Sequence, residues 1–209
     1  MDTATNYLLI VEDDPDILKL LDATLTFKGY RVITARNGRE GLEAMQQRRP
    51  AIVIADIMMP QLDGFGLVHR MRINPQTRDI PVVFITATYV ATEDRDFALS
   101  IGGTRFLEKP IELDKFLGII AEILEQRLPA VIQPFNELDF YNEYRRRLEA
   151  KLAEKSRQIA REEHLLKTEA GKEDGALQTS LRQAVRDRHE LQLLLAQVHE
   201  HLENYTRSE

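Results

Sequence analysis

The chain has 209 residues, 43% apolar and 30% charged, with a formal net charge of -6 and no cysteine. That composition belongs to a globular protein long enough for one or two cores, and the missing cysteine excludes disulfide scaffolds, thiol catalysis and cysteine-ligated zinc or iron–sulfur sites. Residues 1–128 carry 15 Lys and Arg against 19 Asp and Glu, and residues 129–209 carry 13 against 15, so neither part has the basic stripe that a phosphate backbone requires, and no direct nucleic-acid partner is expected. The opening residues Met1 to Tyr7 lack a basic n-region, and no apolar run approaches the roughly 20 residues of a membrane helix. A soluble, cytoplasmic protein without a membrane partner is the expectation.

In chain order, Tyr7-Leu8-Leu9-Ile10-Val11 is an apolar run of strand type that ends in Glu12-Asp13-Asp14-Pro15. From Pro15 the spacing of Ile17, Leu18, Leu21 and Leu25 is helical, and Gly29 ends that helix. A strand over Arg31 to Thr34 and a helix over Arg39 to Arg48 follow. Ile52-Val53-Ile54-Ala55 then reads as a strand buried on both faces, and it delivers Asp56 directly to a loop closed by Pro60 and Asp63-Gly64. After a helix over Phe65 to Ile73, the run Pro81 to Ala87 ends in a hydroxyl at Thr86. A helix over Thr92 to Ile101, a short strand over Arg105 to Glu108 ending at Lys109-Pro110, and a helix over Leu113 to Leu128 complete this part. Five strands alternating with five helices demand parallel pairing with right-handed crossovers.

Ligands of open α/β sheets bind outside the carboxyl ends of the strands. Here those ends carry Glu12 and Asp13, Asp56, Thr86 and Lys109. Clustered carboxylates are hard oxygen ligands suited to Mg²⁺. A hydroxyl and a mobile ammonium suit an anion placed beside the metal. The set reads as a carboxylate that accepts a phosphoryl group. Asp14 is expected to cap the first helix, and Asp63 to serve the turn with Gly64.

With Glu12-Asp13, Asp56 followed by Met59-Pro60 and Asp63-Gly64, Thr86-Ala87 and Lys109-Pro110 in this order and spacing, residues 6–128 resemble the receiver domain of two-component response regulators. The resemblance implies a flavodoxin-like, doubly wound sheet of strand order 2-1-3-4-5 within a receiver domain at 1–128. It implies that Asp56 is the phosphoacceptor, charged by a histidine kinase or phosphotransfer protein. Asp13 would bind Mg²⁺ directly, Glu12 through water and Met58 through its backbone carbonyl. Lys109 would neutralise the phosphoryl oxygens, with a cis peptide before Pro110. Thr86 would swing onto the phosphoryl group, and Phe106 would fill the space it leaves as the aromatic of the switch. Phe106 lacks the hydroxyl of the tyrosine common there, so switching would act through packing alone. Met58 and Thr88 occupy positions that tune the approach of hydrolytic water, and an apolar Met58 implies slow self-dephosphorylation. Arg105 replaces an acid often found before the aromatic in members that dimerise through the 4-5-5 face, which speaks against that mode here. Such a protein accepts a phosphoryl group without being a turnover enzyme.

Residues 129–135, bounded by Pro129 and followed closely by helix formers, read as a linker. Asn136 to Thr168 and Ala176 to Tyr205 are rich in Leu, Ala, Glu, Gln, Arg and Lys and are separated by Gly171-Lys172-Glu173-Asp174-Gly175. The second segment has a heptad of Leu181, Ala184, Arg188, Leu191, Leu195, Val198, Leu202 and Tyr205. The first has a poorer stripe of Leu138, Tyr141, Leu148, Leu152, Ile159 and Leu166, broken by Arg145, Lys155 and Glu162. The expectation is an antiparallel helical hairpin over 136–209 that forms a homodimer through residues 136–205 as a four-helix bundle. Two other readings of the tail are open: a phosphotransfer or phosphatase module using His189, which the heptad places just outside the seam, and a signalling coiled coil leading to an output domain beyond Glu209. His164, His199 and His201 are expected to be solvated.

Overall fold

The structure, a computed structural model, describes residues 7–87, 92–126, 136–167 and 174–208. The chain divides into two compact units, Met1–Phe135 and Asn136–Glu209. The linker residues 129–135, the first three residues of the glycine-flanked turn and Thr88 lie outside the described residues.

In the first unit β1 (Tyr7–Val11), β2 (Arg31–Ala35), β3 (Ile52–Asp56), β4 (Val82–Thr86) and β5 (Arg105–Glu108) alternate with α1 (Pro15–Phe27), α2 (Gly38–Gln47), α3 (Gly64–Ile73), α4 (Thr92–Ser100) and α5 (Leu113–Gln126). All four strand pairings are parallel, in the order β2-β1-β3-β4-β5. The fold is therefore the flavodoxin-like sheet that the alternation and the resemblance imply. β1, β3 and β4 are buried at every residue, as continuous apolar runs in a doubly covered sheet must be.

Alternating side chains feed two cores. Leu8, Ile10, Ile52, Ile54, Val83 and Ile85 face one side and pack with Leu21 and Leu25 of α1 and Phe116, Ile120 and Ile123 of α5. On the other, Phe84 meets Phe65 of α3 edge-on at 5.6 Å, and Phe65 meets Phe97 of α4 at 5.0 Å.

Helix ends follow the local chemistry. Asp14 caps α1 through the amides of Asp16 and Ile17, and Gly29 leaves it at φ 85°. Asn37 caps α2 from the amide of Glu40, while Glu40 reaches back to the amide of Arg36 at 2.9 Å. That reciprocal cap starts α2 at Gly38, one residue before the expected Arg39.

The second unit is an all-helical pair, α6 (Glu137–Leu166) and α7 (Gly175–Ser208). They run antiparallel: Tyr141 near the start of α6 stacks on His201 near the end of α7 at 4.9 Å, and Glu162 near the end of α6 accepts from Ser180 at 2.9 Å. The seam departs from the expected stripes. On α6 the buried residues are Phe140, Tyr144, Leu148 and Ile159, with Phe140 and Tyr144 one turn apart and their rings 5.4 Å from each other. Leu138 and Tyr141 stay half-buried on the flank of α6, where Tyr141 still meets His201 of α7. On α7 Ala184, Leu191, Leu194 and Val198 are buried, so Leu194 stands where Leu195 was expected. A helix with one neighbour buries a narrow stripe, which leaves Leu195 and Arg188 on its half-buried flank and Tyr205 exposed.

Candidate functional site: an acidic pocket at the carboxyl edge

Parallel register carries the predicted side chains to one edge. Asp56 ends β3 opposite Ile85, and Thr86 ends β4 opposite Glu108. Glu12 and Lys109 lie one residue beyond β1 and β5, tied by their own amides to Ala35 at 3.0 Å and Thr86 at 2.8 Å. The Lys109–Pro110 peptide is cis, as expected.

The pocket centres on Lys109. Its Nζ lies 2.9 Å from Asp56 Oδ1, 2.9 Å from Glu12 Oε2 and 3.1 Å from Glu12 Oε1. Asp56 and Glu12 are only 5% and 1% exposed, whereas Asp13 faces solvent. Burial first, and then the neighbouring Glu12 carboxylate, push the Asp56 carboxyl up to about 7 against the pull of Lys109. Burial likewise raises Glu12, again against Lys109. For Lys109 burial works downward, but Asp56 and Glu12 together outweigh it and raise the ammonium. One ammonium thus faces two buried carboxylates, with the exposed Asp13 carboxylate close by. Carboxylate oxygens of Glu12, Asp13 and Asp56 lie within 4.8 Å of one another, a hard-oxygen set of the kind that holds Mg²⁺. Donor chemistry and uncompensated negative charge both fit that ion.

Thr86 is buried beside this cluster. Phe106 is half-buried and lines a cleft with Arg95, Glu108 and Lys115. Met58 is half-buried between buried Ile57 and Met59. Asp63 caps α3 through the Gly66 amide at 2.8 Å, and a Cβ on Gly64 would lie 2.3 Å from the Asp56 carbonyl. Arg105 is engaged within its own unit, 2.7 Å from Glu122 of α5 and 3.0 Å from the Thr104 carbonyl.

The match to a family model decides the identity: the model of the response regulator receiver domain fits residues 8–121. The chain belongs to the response regulator receiver family. It is 36% identical over 132 residues to the transcriptional regulatory protein GlrR of Escherichia coli, a match covering 63% of this chain and 29% of that protein. Among solved structures, a response regulator from Chloroflexus aurantiacus aligns with a TM-score of 0.55 and 30% identity, over 58% of this chain and 98% of the other. The receiver domain of a Pseudomonas aeruginosa sensor histidine kinase, determined with a magnesium ion coordinated in its active-site cleft, aligns at 0.54 and 26% identity, over 58% and 99% of the two chains. The receiver is thus of the kind found in response regulators, the chain spans less than a third of the length of that Escherichia coli relative, and residues 136–209 lie outside the matched family region.

Sequence reasoning missed three contributors. Arg72 is buried and donates to the carbonyls of Arg78, Ile80 and Gly102, and burial first of all lowers its guanidinium to about 10. No pattern in the sequence marks an arginine for burial. Gln61 has φ 67°, and Gly38 lies against Leu62. The Asn37-x-x-Glu40 box could have located α2 but not what Gly38 touches. In the helical pair His189 is exposed, as its heptad position requires. His201, expected to be merely solvated, stacks on Tyr141, and His199 lies 3.9 Å from Glu149. No helix among the described residues is long and apolar enough to cross a membrane.

Proposed function

We propose that Asp56 accepts a phosphoryl group from the phosphohistidine of a histidine kinase or phosphotransfer protein, and that the helical pair relays this state in the cytoplasm by pairing with a second copy or a protein partner, without binding nucleic acid. The observation that carries the reading is the Lys109 bridge between buried Asp56 and buried Glu12. In the transfer an ionised Asp56 oxygen attacks phosphorus. The O–P bond forms as the P–N bond breaks, and the electron pair leaves with the imidazole nitrogen, which takes up a proton. Lys109 moves its charge from the carboxylates to the phosphoryl oxygens, and Thr86 donates its hydroxyl to one of them. Mg²⁺, held by Glu12, Asp13, Asp56 and the Met58 carbonyl, supplies further neutralising charge when bound. Thr86 and Phe106 then bias the α4 and α5 side of the receiver, the two-state element through which a local charge change is read. The protein stores a signal and does not turn over substrate. An apolar Met58 beside the acceptor supports a long-lived phosphoaspartate.

The test is incubation of the full chain with acetyl phosphate and MgCl₂, followed by intact-mass measurement. A single phosphoryl adduct is expected, absent in Asp56→Asn. An adduct that survives in Asp56→Asn would remove Asp56 from the role. Light scattering with and without beryllofluoride then addresses the second half of the proposal. A dimer is expected, because one hairpin leaves Val185 at 38% and Leu193 at 53% exposure; a monomer at micromolar concentration in both states would overturn the homodimer.

A further inference from the structure

The loop from Asp56 to Gly64 is held at two points. At its ends the Gly64 amide donates to the Ile57 carbonyl at 2.9 Å. Near its middle the Gly38 amide, from the first residue of α2, donates to the Leu62 carbonyl at 2.9 Å. Between these ties the Leu62 amide donates to the Pro60 carbonyl at 2.8 Å, closing a three-residue γ-turn. Its central residue, Gln61, has φ 67°, the strained form of that turn for a residue with a side chain. Strained backbone persists where its surroundings over-determine it. Here they do: Leu62 is 6% exposed, and a Cβ on Gly38 would lie 2.6 Å from its carbonyl oxygen and 2.9 Å from its Cγ.

We propose that Gly38 and Leu62 are positioning residues for the acidic pocket: α2 clamps the Leu62 backbone, the clamp holds the Gln61 turn, and the turn sets where the Met58 carbonyl lies. Met58 sits between the Ile57 and Leu62 ties, and its carbonyl is the one read above as a Mg²⁺ ligand. The inference rests on the reading of the pocket as a Mg²⁺ and phosphoryl site. It adds that the affinity of the site is set in part by residues that touch neither group, as supporting contacts do for first ligands in metal sites generally.

The glycines around Leu62 make the test selective. In Gly38→Ala the new Cβ meets a backbone carbonyl, so the loop itself must move. In Gly66→Ala it meets Leu62 Cδ1 at 2.7 Å, the far end of a side chain that can yield. Gly38 has no positive φ and opens a helix, so alanine is otherwise tolerated there. Mg²⁺ binding to the full chain is measured by calorimetry well below each variant's unfolding midpoint. Gly38→Ala and Leu62→Ala are expected to weaken Mg²⁺ binding about tenfold, with Leu62→Met recovering most of it and Gly66→Ala staying within about twofold. A purely structural role would move the unfolding midpoints and leave the dissociation constants alone, and that result overturns the inference. Should Gly38→Ala not fold, the Leu62→Ala and Leu62→Met pair decides by the same criterion. Absence of Mg²⁺ binding in the unmodified chain overturns the pocket reading itself and the inference with it, an outcome visible without any variant.

Discussion

The two units spend their polar side chains in opposite ways. In the receiver, β1, β3 and β4 are apolar throughout, and buried charge is gathered at one edge, where Lys109 faces Glu12 and Asp56. In the helical pair, charge sits along the seam itself. At the Tyr141–His201 end the buried residues are Phe140, Tyr144 and Leu148 on α6 and Leu191, Leu194 and Val198 on α7; toward the other end Lys155 pairs with Asp187 at 2.8 Å, and Glu162 accepts from Ser180 across the seam and from Gln158 of its own helix. A sheet covered on both faces can exile its polar groups to strand ends, because loops begin there. A two-helix seam has no such edge along its length. The receiver thus gathers its buried charge at one edge, whereas the hairpin distributes polar contacts along its seam.

The sharpest way to break this comparison is to empty one core and watch the other. Leu191 is fully buried in the seam, and Leu191→Ala is expected to cost about 2–4 kcal/mol of hairpin stability. Thermal unfolding should show a lowered helical transition while Asp56 still takes up phosphoryl from acetyl phosphate. Loss of both together would show that the two units are one cooperative body.

The pocket's cost is legible in its pH dependence. Asp56 stands at about 7 in the folded chain against an ordinary 3.8. The folded state therefore holds this proton more tightly than the unfolded one, and the group's contribution is fully present below pH 3.8 and lost as pH rises through about 7. Without divalent cation, Asp56→Asn is expected to flatten the decline between those values and to be more stable at pH 8 by on the order of 2 kcal/mol. Denaturant midpoints at pH 5 and pH 8 check it. Equal pH slopes for the two proteins would mean that Asp56 is ionised throughout and that the edge is less costly than its burial implies.

The smallest effect concerns the seam. Lys155 and Asp187 are 17% and 16% exposed, so the pair is largely desolvated. Replacing both with leucine is expected to be neutral or stabilising by about 1 kcal/mol, whereas Lys155→Leu alone destabilises. The double variant should also lose uniqueness of pairing, read as a broader size distribution by light scattering. A destabilised double variant would instead make the pair a net source of stability.

Much of the receiver was determined by the sequence alone. Continuous apolar runs ending in Glu12-Asp13, Asp56 and Thr86, with Lys109-Pro110 after the last strand, mark a parallel sheet and its site edge, because strands alternating with helices leave few topologies open, and the resemblance to receiver domains supplies the strand order. Local signals such as Asp14, Asn37 and Gly29 end or begin helices by hydrogen bonds within four residues, so they too are readable without a fold. What tertiary structure decided was every contact between distant segments with several near-equal candidates. Whether Leu194 or Leu195 enters the seam depends on which flank of α7 meets α6, and both satisfy the same period. The burial of Arg72 depends on three carbonyls brought together from two loops. That Gly38 must be glycine depends on a carbonyl 24 residues away in sequence, 2.6 Å from a Cβ that is not there. Periodicity reports which face of an element is apolar; only packing selects the partner, and close packing turns that selection into a geometric demand on individual residues.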